Sequence, residues 1–172
     1  LAHYLARERG EPYFSGKHVV ELGCGTGLAG IVAAKLGAAS VLLTDGSPAI
    51  LSRARSNVER NIKWQVSLER LLWGSVLEDE KLGSYDVVLA SDVLYSSASW
   101  RPFALTARDL VSTGGEIIIV ETGHEALPLP AAISGFCVVA EGLGLKVETI
   151  ALLKMDGRQL EFPAQVLSVT KA

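Results

Sequence analysis

Short apolar runs alternate with segments of helical spacing along most of the chain. The runs are nearly continuous in apolar residues, as in strands that are covered on both faces. Seven strands are predicted, within HVVEL (18–22), SVLLTD (40–45), QVSLERLLW (65–73), SYDVVLAS (84–91), TGGEIIIVET (113–122), LKVETIALL (145–153) and QVLSVTK (165–171). Because helical segments alternate with them, the pattern predicts an α/β protein with an open, mostly parallel sheet.

Four helices are predicted from the same pattern. Residues 1 to about 9 form an amphipathic segment, and Gly10 and Pro12 are expected to end it. Gly37 is expected to end the helix LAGIVAAKLG (28–37). The other two predicted helices cover residues 48 to about 60 and AAISGFCVVAEGLG (131–144).

The end of the chain breaks the alternation. A turn at Asp156–Gly157, rather than a crossover helix, separates the last two predicted strands. A parallel pair needs a connection of a dozen or more residues, so this pair is predicted to be antiparallel. The expected fold is a Rossmann-like, doubly wound, seven-stranded sheet, mostly parallel with an antiparallel C-terminal strand.

Composition narrows the class of protein. The chain has 172 residues, which favours a single domain over 1–172, and its composition, 49% hydrophobic and 20% charged, is ordinary for a globular protein. A net charge of -3 does not favour a general binder of the nucleic-acid backbone. No apolar run reaches the roughly 18 residues that span a membrane, and the N-terminus has no signal-peptide core.

The cysteines and histidines suggest no metal site. Cys24 and Cys137 are far apart in sequence and fit no metal or disulfide spacing, while His3, His18 and His124 fall on unrelated elements. A reducing compartment is expected, with the cytoplasm first and the nucleus second. The chain begins with Leu1 rather than Met, and we expect an N-terminal segment upstream of it.

The first candidate site is the glycine cluster in VVELGCGTGLAG. Gly25-x-Gly27-x-x-Gly30 matches the dinucleotide fingerprint, whereas Gly23-x-Gly25-x-Gly27 preceded by Glu21 matches a loop for S-adenosylmethionine. A pyrophosphate requires a helix N-terminus without acids, while an acid suits a cationic cofactor, so Glu21 favours the second alternative. A tight strand–helix turn without a ligand is the third interpretation.

One residue at the end of each of the next two predicted strands is suited to binding an adenosine. Asp45, at the end of SVLLTD, is placed to accept hydrogen bonds from a ribose, although it could simply begin the turn Asp-Gly-Ser-Pro. Trp73, in LLWGS, could border an adenine or pack at the edge of the core. We expect Trp64 and Trp100 to be packing residues.

The fourth predicted strand ends in an unusual way. In YDVVLASDVLY, an apolar run leads into Asp92 and then Tyr95, where turn-forming residues would be ordinary. Ligands of open α/β sheets bind at the carboxyl ends of the strands, so both side chains are expected near a reaction centre. The alternatives are an N-capping aspartate and a core-packed tyrosine.

Together these segments resemble a known family, the seven-β-strand protein lysine methyltransferases that modify non-histone proteins, such as the calmodulin-lysine and elongation-factor-lysine enzymes. GKHVVELGCGTGLAGIVAAKLGA, VLLTDGSPAIL, NVERN, LLWG and YDVVLASDVLY are similar to its successive motifs, which covers residues 1 to about 110. Beyond residue 110 only the strand order matches. Family members carry a tryptophan-containing segment further upstream.

The resemblance implies a cofactor, S-adenosyl-L-methionine, and a protein acceptor. It assigns cofactor binding to Glu21, Gly23, Cys24, Gly25, Gly27, Asp45, Gly46, Trp73 and Ser91. Asp92 and Tyr95 would form the channel for the acceptor lysine and carry the catalytic role. Asp92 would hold the amine and Tyr95 would wall the channel, and no metal is expected.

Other functions remain open at this level. A histidine or small-molecule acceptor, or an inactive binding module of the same fold, would share these motifs. Amino-nucleobase methyltransferases carry prolines after the fourth strand, which Asp-Val-Leu-Tyr lacks, and an NAD-dependent oxidoreductase would have to accommodate Glu21. The acceptor protein and the oligomeric state cannot be derived from the sequence.

Overall fold

The computed structural model describes residues 1–63, 65–122, 127–153 and 164–172. Its strands are β1 (His18–Leu22), β2 (Ser40–Asp45), β3 (Val66–Arg70), β4 (Tyr85–Ser91), β5 (Val111–Thr122), β6 (Leu145–Leu153) and β7 (Ala164–Lys171). Its α-helices are α1 (Ala2–Tyr4), α2 (Gly10–Phe14), α3 (Leu28–Lys35), α4 (Pro48–Asn61), α5 (Ser97–Leu110) and α6 (Leu129–Glu141). A π-helical turn (Leu5–Arg9) joins α1 to α2, and a 3₁₀ turn (Asp79–Lys81) precedes β4.

The seven strands form one sheet in the order β3-β2-β1-β4-β5-β7-β6. The pairs among β1 to β5 are parallel, and β7 is antiparallel to both β5 and β6. The predicted mixed sheet with an antiparallel C-terminal strand is therefore confirmed. The turn predicted at 156–157 lies outside the described residues.

The order of the strands fixes where a ligand can enter. The chain runs outward from β1 through β2 to β3 on one side, and from β4 to β5 on the other. The direction reverses between β1 and β4, which pair in parallel from Val19↔Val87 to Leu22↔Ala90. A crevice opens at the carboxyl ends of the strands at such a switch point.

Apolar clusters cover both faces of the sheet. Residues of α5 and α6, including Phe103 and Phe136, pack with β1, β4 and β5 on one face. Residues of the N-terminal helical segment, α3 and α4, including Leu5 and Phe14, pack on the other. The central strands are thus buried on both sides, which explains their unbroken apolar runs. None of the described helices is long and apolar enough to cross a membrane.

The predicted end of the first helix is wrong. Helical structure continues past Gly10 to Phe14, after the N–H of Gly10 donates to the carbonyl of Leu5 and closes the π-helical turn. Gly10 has a φ of +67°, a conformation that glycine adopts without strain. Pro12 then lies in the first turn of α2, where its missing N–H removes no helical hydrogen bond.

The helix α5 has no counterpart in the sequence predictions. Its segment begins with small polar residues and contains Pro102, which is disfavoured inside a helix. The helix forms because Trp100, Phe103, Ala107 and Leu110 are buried against the sheet. Tertiary packing therefore overrides the local preference.

Candidate active site

A pocket of about 340 Å³ opens at the switch point. Segments that follow β1, β2 and β3, together with the end of β4 and the turn after it, contribute all of its walls. The lining residues are Gly23, Asp45, Gly46, Leu71, Leu72, Trp73, Ser91, Asp92, Val93 and Tyr95. The structure thus brings together seven of the residues that the sequence predicts for the site, from four different strands.

The glycine loop after β1 bends sharply against the tryptophan segment. Gly23 has a φ of +67°, and a Cβ on it would lie 3.1 Å from Cζ2 of Trp73. Any side chain at Gly23 would therefore push against Trp73. A Cβ on Gly25 would meet no atom within 4 Å, so the loop has open space beside it.

Asp45 joins this loop to the end of β2. One carboxylate oxygen accepts the N–H of Gly25 at 3.3 Å, and the other accepts the N–H of Ser47 at 2.9 Å. The residue does begin the turn, as the alternative interpretation proposes. An ionised carboxylate has about four acceptor positions, so capacity remains for the two hydroxyls of a ribose.

Of the predicted site residues, Gly25 lies beside the pocket without lining it, and Glu21, Cys24 and Gly27 also lie outside its lining. The N–H of Cys24 donates to the carbonyl of Thr44 at 2.8 Å, and its side chain is buried. A Cβ on Gly27 would lie 2.8 Å from Cδ1 of Leu43, so this glycine permits close packing of α3 on the sheet. Glu21, Cys24 and Gly27 support the loop from behind.

Glu21 is almost fully buried, at 4% exposure. Its Oε2 accepts the N–H of Gly30 at 2.8 Å, which ties β1 to the first turns of α3. Burial raises the pKa of Glu21 to about 8. Without a ligand its neutral form is therefore favoured at neutral pH, because desolvation disfavours the charge.

Asp92 follows β4 in a left-handed conformation, with a φ of +53°. Its Oδ1 accepts two hydrogen bonds from Thr122 at the end of β5, from the N–H at 2.9 Å and from Oγ1 at 2.5 Å. The side chain is exposed toward the pocket mouth. Asp92 is not a helix N-cap, since α5 begins at Ser97 with Ser96 as its N-cap.

The aromatic residues around the pocket have separate environments. Tyr95 is 57% exposed and lines the pocket, so it is not packed in the core. Trp73 lines the pocket and also packs edge-on against Phe103, with ring centroids 5.1 Å apart. Trp100 is buried as predicted, and its indole N–H donates to the carbonyl of Leu94. Trp64 lies outside the described residues.

Sequence reasoning missed Glu121, which is fully buried on β5 beside the site. Its Oε2 accepts the N–H groups of Val93 and Leu94, at 3.0 and 3.1 Å. Desolvation, together with the nearby charge of Asp92, raises the pKa of Glu121 to about 7. The available signal was an acid at the end of the apolar run IIIVET, where nothing local accounts for it.

The charges of the pocket discriminate between cofactor classes. Among the residues that the structure describes, its lining carries two carboxylates, Asp45 and Asp92, and no lysine or arginine. A pyrophosphate would meet negative charge there without a cationic partner, whereas a sulfonium or an ammonium group would be attracted. The residues present therefore fit S-adenosylmethionine better than a dinucleotide.

The sequence profile of a family described as lysine methyltransferase matches residues 1–125. The chain belongs to this family. Its glycine loop, Asp45, Trp73 and Asp92 all lie within the matched part, and the family and its fold imply S-adenosylmethionine as cofactor.

Three curated relatives each match between 57% and 69% of the chain. Protein N-lysine methyltransferase METTL21A of Mus musculus is 38% identical over 123 residues, 69% of this chain and 55% of that protein. Calmodulin-lysine N-methyltransferase of Arabidopsis thaliana is 33% identical over 103 residues, 57% of this chain and 34% of that protein. Histone-arginine methyltransferase METTL23 of Xenopus laevis is 37% identical over 114 residues, 64% of this chain and 47% of that protein. The chain thus spans about half or less of these relatives.

Solved structures share the fold across nearly the whole chain. A TehB-like SAM-dependent methyltransferase from Corynebacterium glutamicum superposes with a TM-score of 0.73 at 19% identity. The superposition covers 99% of this chain and 86% of the other. The seven-stranded methyltransferase fold therefore extends to β6 and β7, beyond the matched part of the family.

Proposed function

We propose that this chain is the catalytic domain of an S-adenosylmethionine-dependent protein lysine methyltransferase whose acceptor is a non-histone protein. The observation that carries the proposal is the pocket itself. Asp92 and Tyr95 share it with Gly23 of the glycine loop, Asp45 and Trp73, and none of the described lining residues is basic. An acceptor amine at Asp92 would therefore lie beside the cofactor site.

The chain's own residues would hold the cofactor from the ends of β1 to β4. Gly23 and Gly25 leave room for close approach of a ligand to the backbone, Asp45 would accept from the ribose, and Trp73 would border the adenine. Gly46 and Ser91 line the same cavity. When bound, S-adenosylmethionine supplies an activated methyl group, so the protein mainly has to align the acceptor.

Asp92 would bind the acceptor lysine and orient it. Thr122 fixes Oδ1 of Asp92, while Oδ2 accepts a long hydrogen bond of 3.4 Å from the hydroxyl of Ser91 and keeps capacity to accept from an amine. Free lysine has a pKa near 10.4, and a carboxylate alone favours its charged form. Desolvation in the channel, with Tyr95 as an apolar wall with a polar tip, would favour the neutral nucleophile.

We further propose that the partner is a protein and that the enzyme is cytoplasmic. The relatives named above act on proteins, and a net charge of -3 gives no general affinity for nucleic acid. We place the enzyme in the cytoplasm, with the nucleus as the second compartment, because the two cysteines suggest a reducing environment.

The test is label transfer from tritiated S-adenosylmethionine by the full-length protein into a cell lysate, followed by mass-spectrometric mapping of the modified residue. Label in lysine of a protein is expected. Asp92→Asn should lower the rate at least about a hundredfold, because it removes the charge that holds the amine. Asp86→Asn is the matched control on the same strand, since Asp86 accepts the His18 N–H at the opposite end of β4.

Other outcomes contradict the proposal in distinguishable ways. Label in arginine, histidine, nucleic acid or a small molecule would assign a different acceptor. A protein that binds S-adenosylhomocysteine in calorimetry but labels nothing would be an inactive binding module. An Asp92→Asn variant as active as Asp86→Asn would remove Asp92 from the mechanism.

A further inference from the structure

Two residues at the end of β5 bind three consecutive residues of the segment that carries Asp92 and Tyr95. Thr122 binds the side chain of Asp92, and Glu121 binds the backbone of Val93 and Leu94. The two residues of β5 project from opposite faces of the sheet, as adjacent strand residues do. Their hydrogen bonds therefore hold the turn between β4 and α5 from both faces of the sheet.

The turn is also held by the N–H of Asp92, which donates to the carbonyl of Val120 at 2.9 Å, and by the indole N–H of Trp100, which donates to the carbonyl of Leu94. It lies between Ser91, the last residue of β4, and Ser97, the first residue of α5. Val93 and Leu94 are buried, so their backbone N–H groups need acceptors inside the protein. The carboxylate of Glu121 supplies both, and hydrogen bonds to an ionised acceptor are about twice as strong as neutral ones.

The geometry links this contact to the reaction. Val93 and Leu94 are the two residues that separate Asp92 from Tyr95, and the indole of Trp100 donates to the carbonyl of Leu94 from the other side. The backbone of this pair sets the distance and the angle between the two side chains at the pocket mouth. A shift of about 1 Å in a reacting arrangement can cost about a hundredfold in rate.

We propose that Glu121 is a positioning residue of the methyl-transfer site, which sets the spacing of Asp92 and Tyr95 by holding the backbone between them. This inference rests on the proposed function. Glu121 touches neither cofactor nor acceptor and acts through the turn.

A second observation agrees with an active role for the charge. Oε1 of Glu121 is buried and has no hydrogen-bond partner among the described residues, so the carboxylate is kept at a cost in solvation. Desolvation brings its pKa to about 7, and Asp92 at the end of β4 is the charged group that faces it and raises the pKa. The hydrogen bonds from Val93 and Leu94 favour the ionised form. The hydrogen bonds that Val93 and Leu94 donate to Glu121 should therefore become stronger as pH rises through 7.

Two variants of the full-length protein separate the parts of this role. Glu121→Leu removes both acceptors and should lower label transfer from S-adenosylmethionine into lysate protein by about 10- to 100-fold, with the affinity for S-adenosylhomocysteine changed less than about threefold. Glu121→Gln keeps a carbonyl acceptor for the turn, so its rate should stay within about fivefold of the wild-type rate. Hydrogen exchange should show faster exchange at the Val93 and Leu94 amides in Glu121→Leu only.

Glu116→Leu is the matched control for a purely structural loss. Glu116 lies on the same strand and binds Arg9, Tyr13 and Ser168, far along β5 from the turn. This variant should lose stability without changing exchange at Val93 and Leu94, or the rate per folded molecule.

The pH dependence of the rate distinguishes a positioning role of Glu121 from a purely structural one. The ratio of the wild-type rate to the Glu121→Gln rate cancels the titration of the acceptor lysine. It should rise from close to 1 at pH 6 to about 5 at pH 8.5, with a midpoint near 7, because only the wild type gains the charge.

The results have distinct meanings. A Glu121→Leu variant with wild-type rate, unchanged exchange at Val93 and Leu94, or a ratio that stays flat with pH would overturn the positioning role while the lysine methyltransferase activity stands. A wild-type protein that binds S-adenosylhomocysteine but labels no protein would overturn both.

Discussion

At the residue scale, the site is built from acids whose surroundings differ. Asp45 and Asp92 face the pocket, and each already accepts backbone hydrogen bonds. Glu21 and Glu121 lie behind them and are buried. The exposed pair is available to ligands, whereas the buried pair holds the backbone that presents it.

Glu21 makes stability depend on pH in a predictable direction. Its pKa is about 8 in the folded chain against 4.5 for an ordinary exposed glutamate, so its contribution to stability is full below about pH 4.5 and is lost as pH rises through 8. Glu21→Gln lacks this titration. Relative to that variant, the ligand-free wild type should lose about 3 kcal/mol of unfolding free energy between pH 5.5 and 9.

Urea denaturation at a series of pH values measures this difference. The titration of Glu121 is present in both proteins and cancels. Glu59→Gln, an exposed change on α4, should follow the wild type throughout. Parallel curves for wild type and Glu21→Gln would mean that the Glu21 carboxylate is not desolvated.

At the element scale, the sequence signals were strongest where burial is complete. The runs 18–22, 40–45 and 84–91 are covered on both faces, so their pattern identifies strands almost to the residue. The helix α5 was missed because its signal is tertiary: Pro102 argues against a helix locally, and only packing of Phe103 and its neighbours overrides it. The contact of Glu121 with Val93 joins residues 28 positions apart, which no spacing rule reveals.

The N-terminal helical segment is fastened to the sheet at Glu116. Arg9 makes a 2.7 Å ion pair with this carboxylate and Tyr13 donates to it at 2.6 Å, both from one side of the segment. Glu116→Ala removes both contacts and also the acceptor of Ser168, so that Arg9 keeps its hydrogen bond to Tyr4 and Tyr13 loses its carboxylate partner. We expect limited proteolysis within residues 1–14 to become about tenfold faster, because local opening costs less.

Glu148→Ala is the control for this prediction. Its partner Lys146 is exposed on β6, and surface ion pairs contribute little to stability. Cleavage within residues 1–14 should stay at the wild-type rate. Equal protection in Glu116→Ala would show that apolar packing of Leu5 and Phe14 alone fastens the segment.

At the scale of the whole molecule, binding of a cofactor product should stabilise the fold by mass action. S-adenosylhomocysteine at about 100 times its Kd should add about 2.7 kcal/mol, or about 5–10 °C in Tm for a chain of this size. NAD should leave Tm unchanged, because the lining residues in the described part of the chain offer its pyrophosphate no cation. Thermal denaturation of the full-length protein with each compound measures both shifts.

Asp45→Asn tests how much a single side chain contributes to binding of S-adenosylhomocysteine. The amide cannot accept from both ribose hydroxyls as a carboxylate can, so binding of S-adenosylhomocysteine should weaken about tenfold. Asp86→Asn, remote from the pocket, should bind like the wild type. A shift in Tm with NAD equal to that with S-adenosylhomocysteine would contradict the cofactor assignment.

Trp73 lies where its fluorescence can report on the pocket. Its indole contacts the backbone at Gly23 on one side and packs on Phe103 on the other, within the wall that an adenine would border. Trp100 belongs to α5 and is buried with its indole N–H already bonded, so a ligand changes its surroundings little. Fluorescence quenching of Trp73 can therefore follow occupancy of the pocket in an unlabelled protein, and Trp73→Phe identifies the source of the signal.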